Sequence, residues 1–385
     1  MLLPDYNGGG IVNLMSSLQS ALGGSRHSYP ALDLLTSLSL GSYRKILLWV
    51  VDGLGANYLR AHPEAATLNT HMGGAITSVF PPTTASAVTT FLTGDAPLQH
   101  GLTGWHMYFR ELGAVLAVLP GRPRYGGVGL GQAGINTAAF HGHVPFTDKI
   151  GCESVMLSPG YIAESDFNLA HLGRSRLLRH DNLSEFTAQI ADMLCNGAER
   201  YLYAYWSELD NLGHQSGIWS AAAKSHLLEI DQAFSYLLDR CRGSDSLILI
   251  CADHGQVDTR PSDRISLDDH PDLGGMLSLP LCGEPRAAYC YLRSGCERAF
   301  DDYVASELAG IAIAYPSIEL IEKNWFGLGT PHPQFSWRIG DRLLLMQDNY
   351  TIKDWLAQEK RYGLVGVHGG LSDDELFVPI IHAAA

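Results

Sequence analysis

SLILICADHG, residues 246–255, decides the fold. Its unbroken apolar run is the pattern of a strand buried on both faces of a sheet. The run stops at Asp253 and His254, followed by Gly255. A charged pair at the end of a buried strand needs compensation, and a metal ion supplies it. KILLWVVDG (45–53) repeats the design with Asp52 at its end, and YLYAYW (201–206) leads into SELDNLGH, which carries Asp210 and His214. In open α/β sheets the ligand crevice lies beyond the carboxyl ends of the strands. Carboxylates at or just past the ends of these three runs place a site there.

Working outward, GAITSVF (74–80) reads as a further strand, with helices beginning near Leu54, spanning Thr84 to Leu92, and spanning Ala221–Leu238. Such alternation predicts an α/β fold with a mostly parallel central sheet and helices on both faces. The pattern weakens at about 121–182, 256–286 and 323–341, where Gly and Pro accumulate. These segments read as insertions shaping a pocket mouth, which leaves one catalytic domain over 1–385.

Composition bounds the function. Of 385 residues, 46% are hydrophobic and 17% charged, enough to bury a large core. A net charge of −14 argues against nucleic-acid polymers and anionic membranes as partners. It leaves room for a small phosphorylated substrate, because bound dications reverse the local field. The seven cysteines lack CxxC spacing and read as reduced core thiols. The first residues, MLLPDYNGGGIVNLMSSLQ, have no basic n-region, and no window is apolar enough for a membrane span. The expected location is the cytoplasm. On the general frequency of such assemblies, an isologous homodimer is the expected oligomer.

Taken singly, each polar cluster has a plainer explanation. Asp52 could cap a helix or form a turn. FPPTTASAVTTFLTG (80–94) places Thr83 and Thr84 at a helix start, where either could cap; there the N–H groups and dipole also favour an anion. Asp210 and His214, four apart, share one helix face and could pair with each other or grip an ion. His368 in GVHGG has glycine neighbours that let backbone approach closely. His100, His106, His141 and His143 read as structural, whereas His270 and His332 sit in loops that could line the pocket mouth.

As an ordered set, the clusters resemble the alkaline phosphatase superfamily, most closely its nucleotide pyrophosphatase/phosphodiesterase branch. The matching elements are VDGLG at 51–55, FPPTT at 80–84 with TG at 93–94, D-x3-H at 210–214, ADHG at 252–255 and HGG at 368–370. The resemblance implies an alkaline-phosphatase-like sheet and two Zn2+ ions. Asp210, His214 and His368 would hold one ion, and Asp52, Asp253 and His254 the other. Thr84, beside the second ion, would be the nucleophile and pass through a phospho-threonine intermediate. The implied substrate is small, phosphorylated and nucleotide-like, with a phosphodiester or pyrophosphate bond.

One departure stands out. The branch carries an asparagine soon after its TG, where it contacts a phosphoryl oxygen. Here the stretch reads QHGLTGWH, with Trp105 at about that place. Phosphomonoester or phosphonate hydrolysis on the same fold is therefore the first alternative. A non-catalytic metal-binding interaction protein is the alternative from another class, and it predicts a missing ligand or nucleophile. The threonine, in place of a CxPxR or SxPxR signature, argues against sulfate esters.

Overall fold

A computed structural model describes residues 2–357, 359–361 and 363–385. Seven strands form the central sheet: β1 Lys45–Val51, β2 Met72–Thr77, β3 Ser154–Pro159, β4 Arg176–His180, β5 Tyr201–Trp206, β6 Ser246–Cys251 and β7 Phe377–Ala384. Their order is β2-β7-β6-β1-β5-β3-β4. β7 runs antiparallel to both its neighbours, and the other pairings are parallel. β1, β5 and β6 are buried along their whole length, as their apolar runs require.

Register aligns the site. Val51 pairs with Trp206 and Val50 with Cys251, so β1, β5 and β6 end side by side. Asp52, Asp210 and Asp253 therefore leave the same edge of the sheet. Helices cover both faces. Ala221–Arg240 is capped by the Ser220 side chain and buries Leu227, Ile230, Phe234 and Leu237 at helical spacing. The Leu183–Asn196 helix packs Phe186 on Trp49 of β1, with ring centroids 5.2 Å apart. No helix among the described residues is long and apolar enough to cross a membrane.

A second seven-stranded sheet was not foreseen. It runs in the order Ala312–Pro316, Arg342–Met346, Ala287–Cys290, Cys282–Glu284, His106–Phe109, Ala114–Ala117 and Arg122–Pro123. Its pairings are antiparallel. The weak-pattern segments are thus partly ordered strand: 121–182 supplies β3 and β4 to the central sheet, and 256–286 supplies Cys282–Glu284. The second sheet packs its own apolar groups, among them Phe80, Tyr289, Phe326 and Leu343. It also stands beside the carboxyl ends of β1, β5 and β6, where Glu284 joins Asp52 and Asp210 in one cavity wall.

Candidate active site

All seven residues singled out from the sequence lie in two compact groups or in contact with one. The possible ligand atoms of Asp52, Asp253 and His254 lie within 4.8 Å of one another, as do those of Asp210, His254 and His368. His254 is common to both groups. His214 joins through Asp210: both lie on the Glu208–Ser216 helix, with Nε2 3.2 Å from Asp210 Oδ2. The seventh, Thr84, is the first residue of the Thr84–Thr93 helix, and its Oγ1 is 3.1 Å from His254 Nε2.

Hydrogen bonds orient most of these side chains. Asp52 accepts from the Tyr205 hydroxyl through Oδ2, leaving Oδ1 buried without a partner and 3.4 Å from His254 Nε2. Asp253 accepts from the backbone N–H groups of Gly53 and His254 through Oδ1, at 3.2 and 3.0 Å. Its Oδ2 is also buried and unpartnered, 3.5 Å from His254 Nε2. The Nδ1 atoms of His254 and His214 face the carbonyls of Gly255 and Gly366, at 3.1 and 2.7 Å, which turns both Nε2 atoms inward. Such outer contacts fix the tautomer of metal-binding histidines. Orphaned carboxylate oxygens and inward imidazole nitrogens, converging in a buried space, fit a pair of divalent ions.

The electrostatics point the same way. Burial pushes Asp52 well above the usual carboxylate range, and the charges of Asp210 and Asp253 add to it. Asp253 is likewise raised, chiefly by burial. Burial would also raise Asp210, but His214, His368 and His254 outweigh it and hold the carboxyl below its usual range. Against its own burial, His214 is lifted to about 9 by the Asp210 carboxylate. Burial and then His254 push His368 well down. Carboxylates crowded this closely repel one another until a cation compensates them.

Thr83 and Thr84 divide their duties. Thr83 occupies the N-cap position, yet its side chain does not cap the helix; its hydroxyl donates instead to Glu284 Oε1 at 2.6 Å. The N–H groups of the first turn thus have no side-chain cap beside Thr84. This separates the two threonines, which the sequence alone left competing for one role.

A cavity of about 770 Å³ opens over these groups. Asp52, Thr84, Asp210, His214 and His368 line its floor, and Val88, Leu92, Leu119, Ile162 and Phe167 form an apolar wall. Trp105 and Tyr161 line it too and remain exposed, at 38% and 78%, which leaves aromatic surface for a flat substituent. His106, taken from sequence as structural, is part of the lining, and burial pushes it down to about 3. His270 and His332 are not among the lining residues. The first hydrogen-bonds the Tyr303 hydroxyl at 2.9 Å, and the second accepts through Nδ1 from the Gln334 N–H at 3.2 Å. Sequence reasoning missed Glu284, Tyr205 and Gln256. Gln256 donates to the backbone carbonyl of Asp210 at 3.1 Å and also contacts its carboxylate. Position next to ADHG was the available signal for Gln256; Tyr205 and Glu284 carried none.

The fold is that of the alkaline phosphatase superfamily. A model of the type I phosphodiesterase / nucleotide pyrophosphatase family matches residues 46–370, and the chain belongs to that family. The family's chemistry is binuclear and metal-dependent. No curated protein matches the sequence. Among solved structures, murine ectonucleotide pyrophosphatase / phosphodiesterase 5 is similar at TM-score 0.66 and 17% identity, covering 87% of each chain. An inactive form of that murine protein in complex with AMP is equally similar, at TM-score 0.66 and 17% identity over 88% of this chain and 87% of that one. Phosphonoacetate hydrolase from Sinorhizobium meliloti 1021, in complex with phosphonoformate, reaches TM-score 0.63 at 18% identity over 89% of this chain and 90% of that one.

Proposed function

We propose that this chain is a zinc-dependent phosphodiesterase or nucleotide pyrophosphatase that works through Thr84, and that residues 1–385 form one catalytic unit. The observation that carries the reading is the placement of Thr84. Its hydroxyl stands at a helix start, 3.1 Å from His254 Nε2, on a cavity that Asp52 and Asp210 also line. Asp210, His214 and His368 would hold one Zn2+ and Asp52, Asp253 and His254 the other, with His254 within reach of both. When bound, two such ions would neutralise charge at the phosphoryl oxygens and acidify the threonine hydroxyl.

The chain's own groups then account for the rest. Thr84 Oγ1, its proton passed to solvent water, attacks phosphorus; the bond to the leaving oxygen breaks, that oxygen departs with the electron pair and takes a proton from water, and a phospho-threonine forms. Hydrolysis of that ester returns the Thr84 hydroxyl and releases the phosphoryl product. The uncapped first turn of the Thr84–Thr93 helix turns N–H groups and the positive end of its dipole toward the anion. The apolar wall and the exposed rings of Trp105 and Tyr161 suit a substrate whose organic part is flat and largely apolar, as a nucleobase is. AMP bound to the murine relative is consistent with that choice.

A second reading, phosphonate or phosphomonoester hydrolysis, draws on the likeness to phosphonoacetate hydrolase and on Trp105 at the place of the expected asparagine. An activity panel separates the two. With zinc restored after chelation, bis-p-nitrophenyl phosphate should turn over faster than p-nitrophenyl phosphate, and magnesium should restore less activity than zinc. The reverse substrate ranking assigns the chain to the monoesterases, and full activity with magnesium alone removes the zinc assignment.

A further inference from the structure

Glu284 ends the Cys282–Glu284 strand of the second sheet and is buried at the cavity wall. It touches three pieces of the site at once. Oε1 accepts from the Thr83 hydroxyl at 2.6 Å, beside the nucleophile, and from the Trp105 N–H at 2.7 Å, where the family's asparagine is missing. Its Cβ and Cγ lie against Gly369, the residue after His368, so closely that a Cβ there would approach them to 2.8 and 3.0 Å. Gly369 has a φ of +109°, so a side chain at this position would be strained as well as crowded.

The carboxyl is therefore held through one oxygen and by packing. No hydrogen bond to Oε2 is found among the described residues, and the side chain lines the cavity. A buried carboxyl spent only on anchoring two loops would be an unusual choice, because an amide accepts the same two bonds without the desolvation cost of a charge.

We propose that Glu284 selects substrates by charge, turning Oε2 toward the unesterified phosphoryl oxygens and disfavouring a dianionic monoester relative to a singly charged diester. Like charges brought together in a desolvated pocket are a strong means of rejecting the wrong ligand. Burial lifts the carboxyl to about 7, while Thr83, Trp105, His254 and His214 pull it down. Dications at the adjoining site pull in the same direction. The proposal rests on the phosphoryl-transfer reading of the site.

Glu284→Gln tests it, because the amide oxygen preserves both hydrogen bonds and the shape while removing the charge. In the zinc-loaded enzyme, kcat/KM for p-nitrophenyl phosphate should rise about tenfold relative to bis-p-nitrophenyl phosphate. Glu284→Asp keeps the charge and should keep the wild-type ratio within a few-fold. An unchanged ratio in the Gln variant, or an equal shift in both variants, overturns the charge argument. A binding measurement makes the test independent of turnover. In the zinc-loaded Thr84→Ala protein at alkaline pH, calorimetry should show Glu284→Gln tightening inorganic phosphate about tenfold while leaving dimethyl phosphate unchanged. Equal effects on both anions, or none on either, overturn the proposal. Failure of the Thr84 assignment would show separately, as turnover that survives Thr84→Ala.

Discussion

Two clusters of histidines among the described residues make a contrast, and the difference lies in the carboxylates beside them. In the active site, His214, His254 and His368 stand among three buried carboxylates, with Asp52 Oδ1 and Asp253 Oδ2 orphaned. Elsewhere His100, His141, His143 and His171 pack together with no carboxylate among the groups that shift them. There His143 Nδ1 is 2.7 Å from His171 Nε2, and His143 Nε2 is 2.7 Å from the His100 carbonyl. His171 Nδ1 faces the Phe167 carbonyl at 2.7 Å. Imidazoles that meet each other and the backbone make packing; imidazoles that meet unpartnered carboxylate oxygens make an ion site.

The largest expected effect breaks the active-site half of the comparison. Thr84→Ala should lower kcat by at least about a thousandfold, with zinc content unchanged by elemental analysis. Retained turnover would remove the nucleophile assignment. A smaller effect comes from the groups that aim the ligands. Tyr205→Phe deletes the donor to Asp52 and should weaken zinc binding about 10- to 100-fold in competition with a chelator. His143→Phe in the other cluster should leave zinc content and affinity as they are, and a loss of zinc there would erase the distinction between the clusters.

The smallest effect is on pH response, where the clusters differ in sign. Burial, followed by neighbouring cationic groups, holds His141 down to about 3, and burial holds His171 down to about 4. Below about pH 6.5 the unfolded chain takes up protons at these positions that the folded chain refuses. Stability from this cluster is therefore lost as pH falls from about 6.5 toward those lower values, and Tm should drop over that range. In the active site, burial raises Asp52 and Asp253, and Asp210 lifts His214 to about 9, so the folded apo chain holds protons that metal must displace. The increase in Tm on adding zinc should therefore grow from pH 5 to pH 8, as read by scanning calorimetry. A zinc effect that shrinks over that interval would contradict the ligand set.

The legibility of the sequence followed the same division. Asp52, Asp210 and Asp253 could be read because long apolar runs announce buried strands, and the ends of such strands are where charge is out of place. The Thr84 helix and the Asp210–His214 pair are local in sequence, and the structure keeps both on one helix each. Glu284 could not be read. Its strand has three residues; it pairs with Ala287–Cys290 just beyond it, and on its other side meets the sheet only at Gly283 with His106, across a long stretch of chain. Three residues are too few to show strand alternation, and the neighbour His106 is supplied only by folding. The place of His106 in the cavity lining was hidden for the same reason, and β3 and β4 lay inside a segment whose glycines and short helices blur periodicity.

By itself, then, the sequence determined which residues would stand at the ends of the central strands, and with them the family and the hydrolytic chemistry. Hydrophobic period and strand-end charge are one-dimensional properties, and a chain carries them in plain order. Only the tertiary structure decided that His254 reaches both clusters, that Thr83 and Thr84 make different contacts, and that a carboxyl from the second sheet lines the pocket. Those outcomes depend on distances between segments far apart in the chain, which are set by packing and by the register of the two sheets.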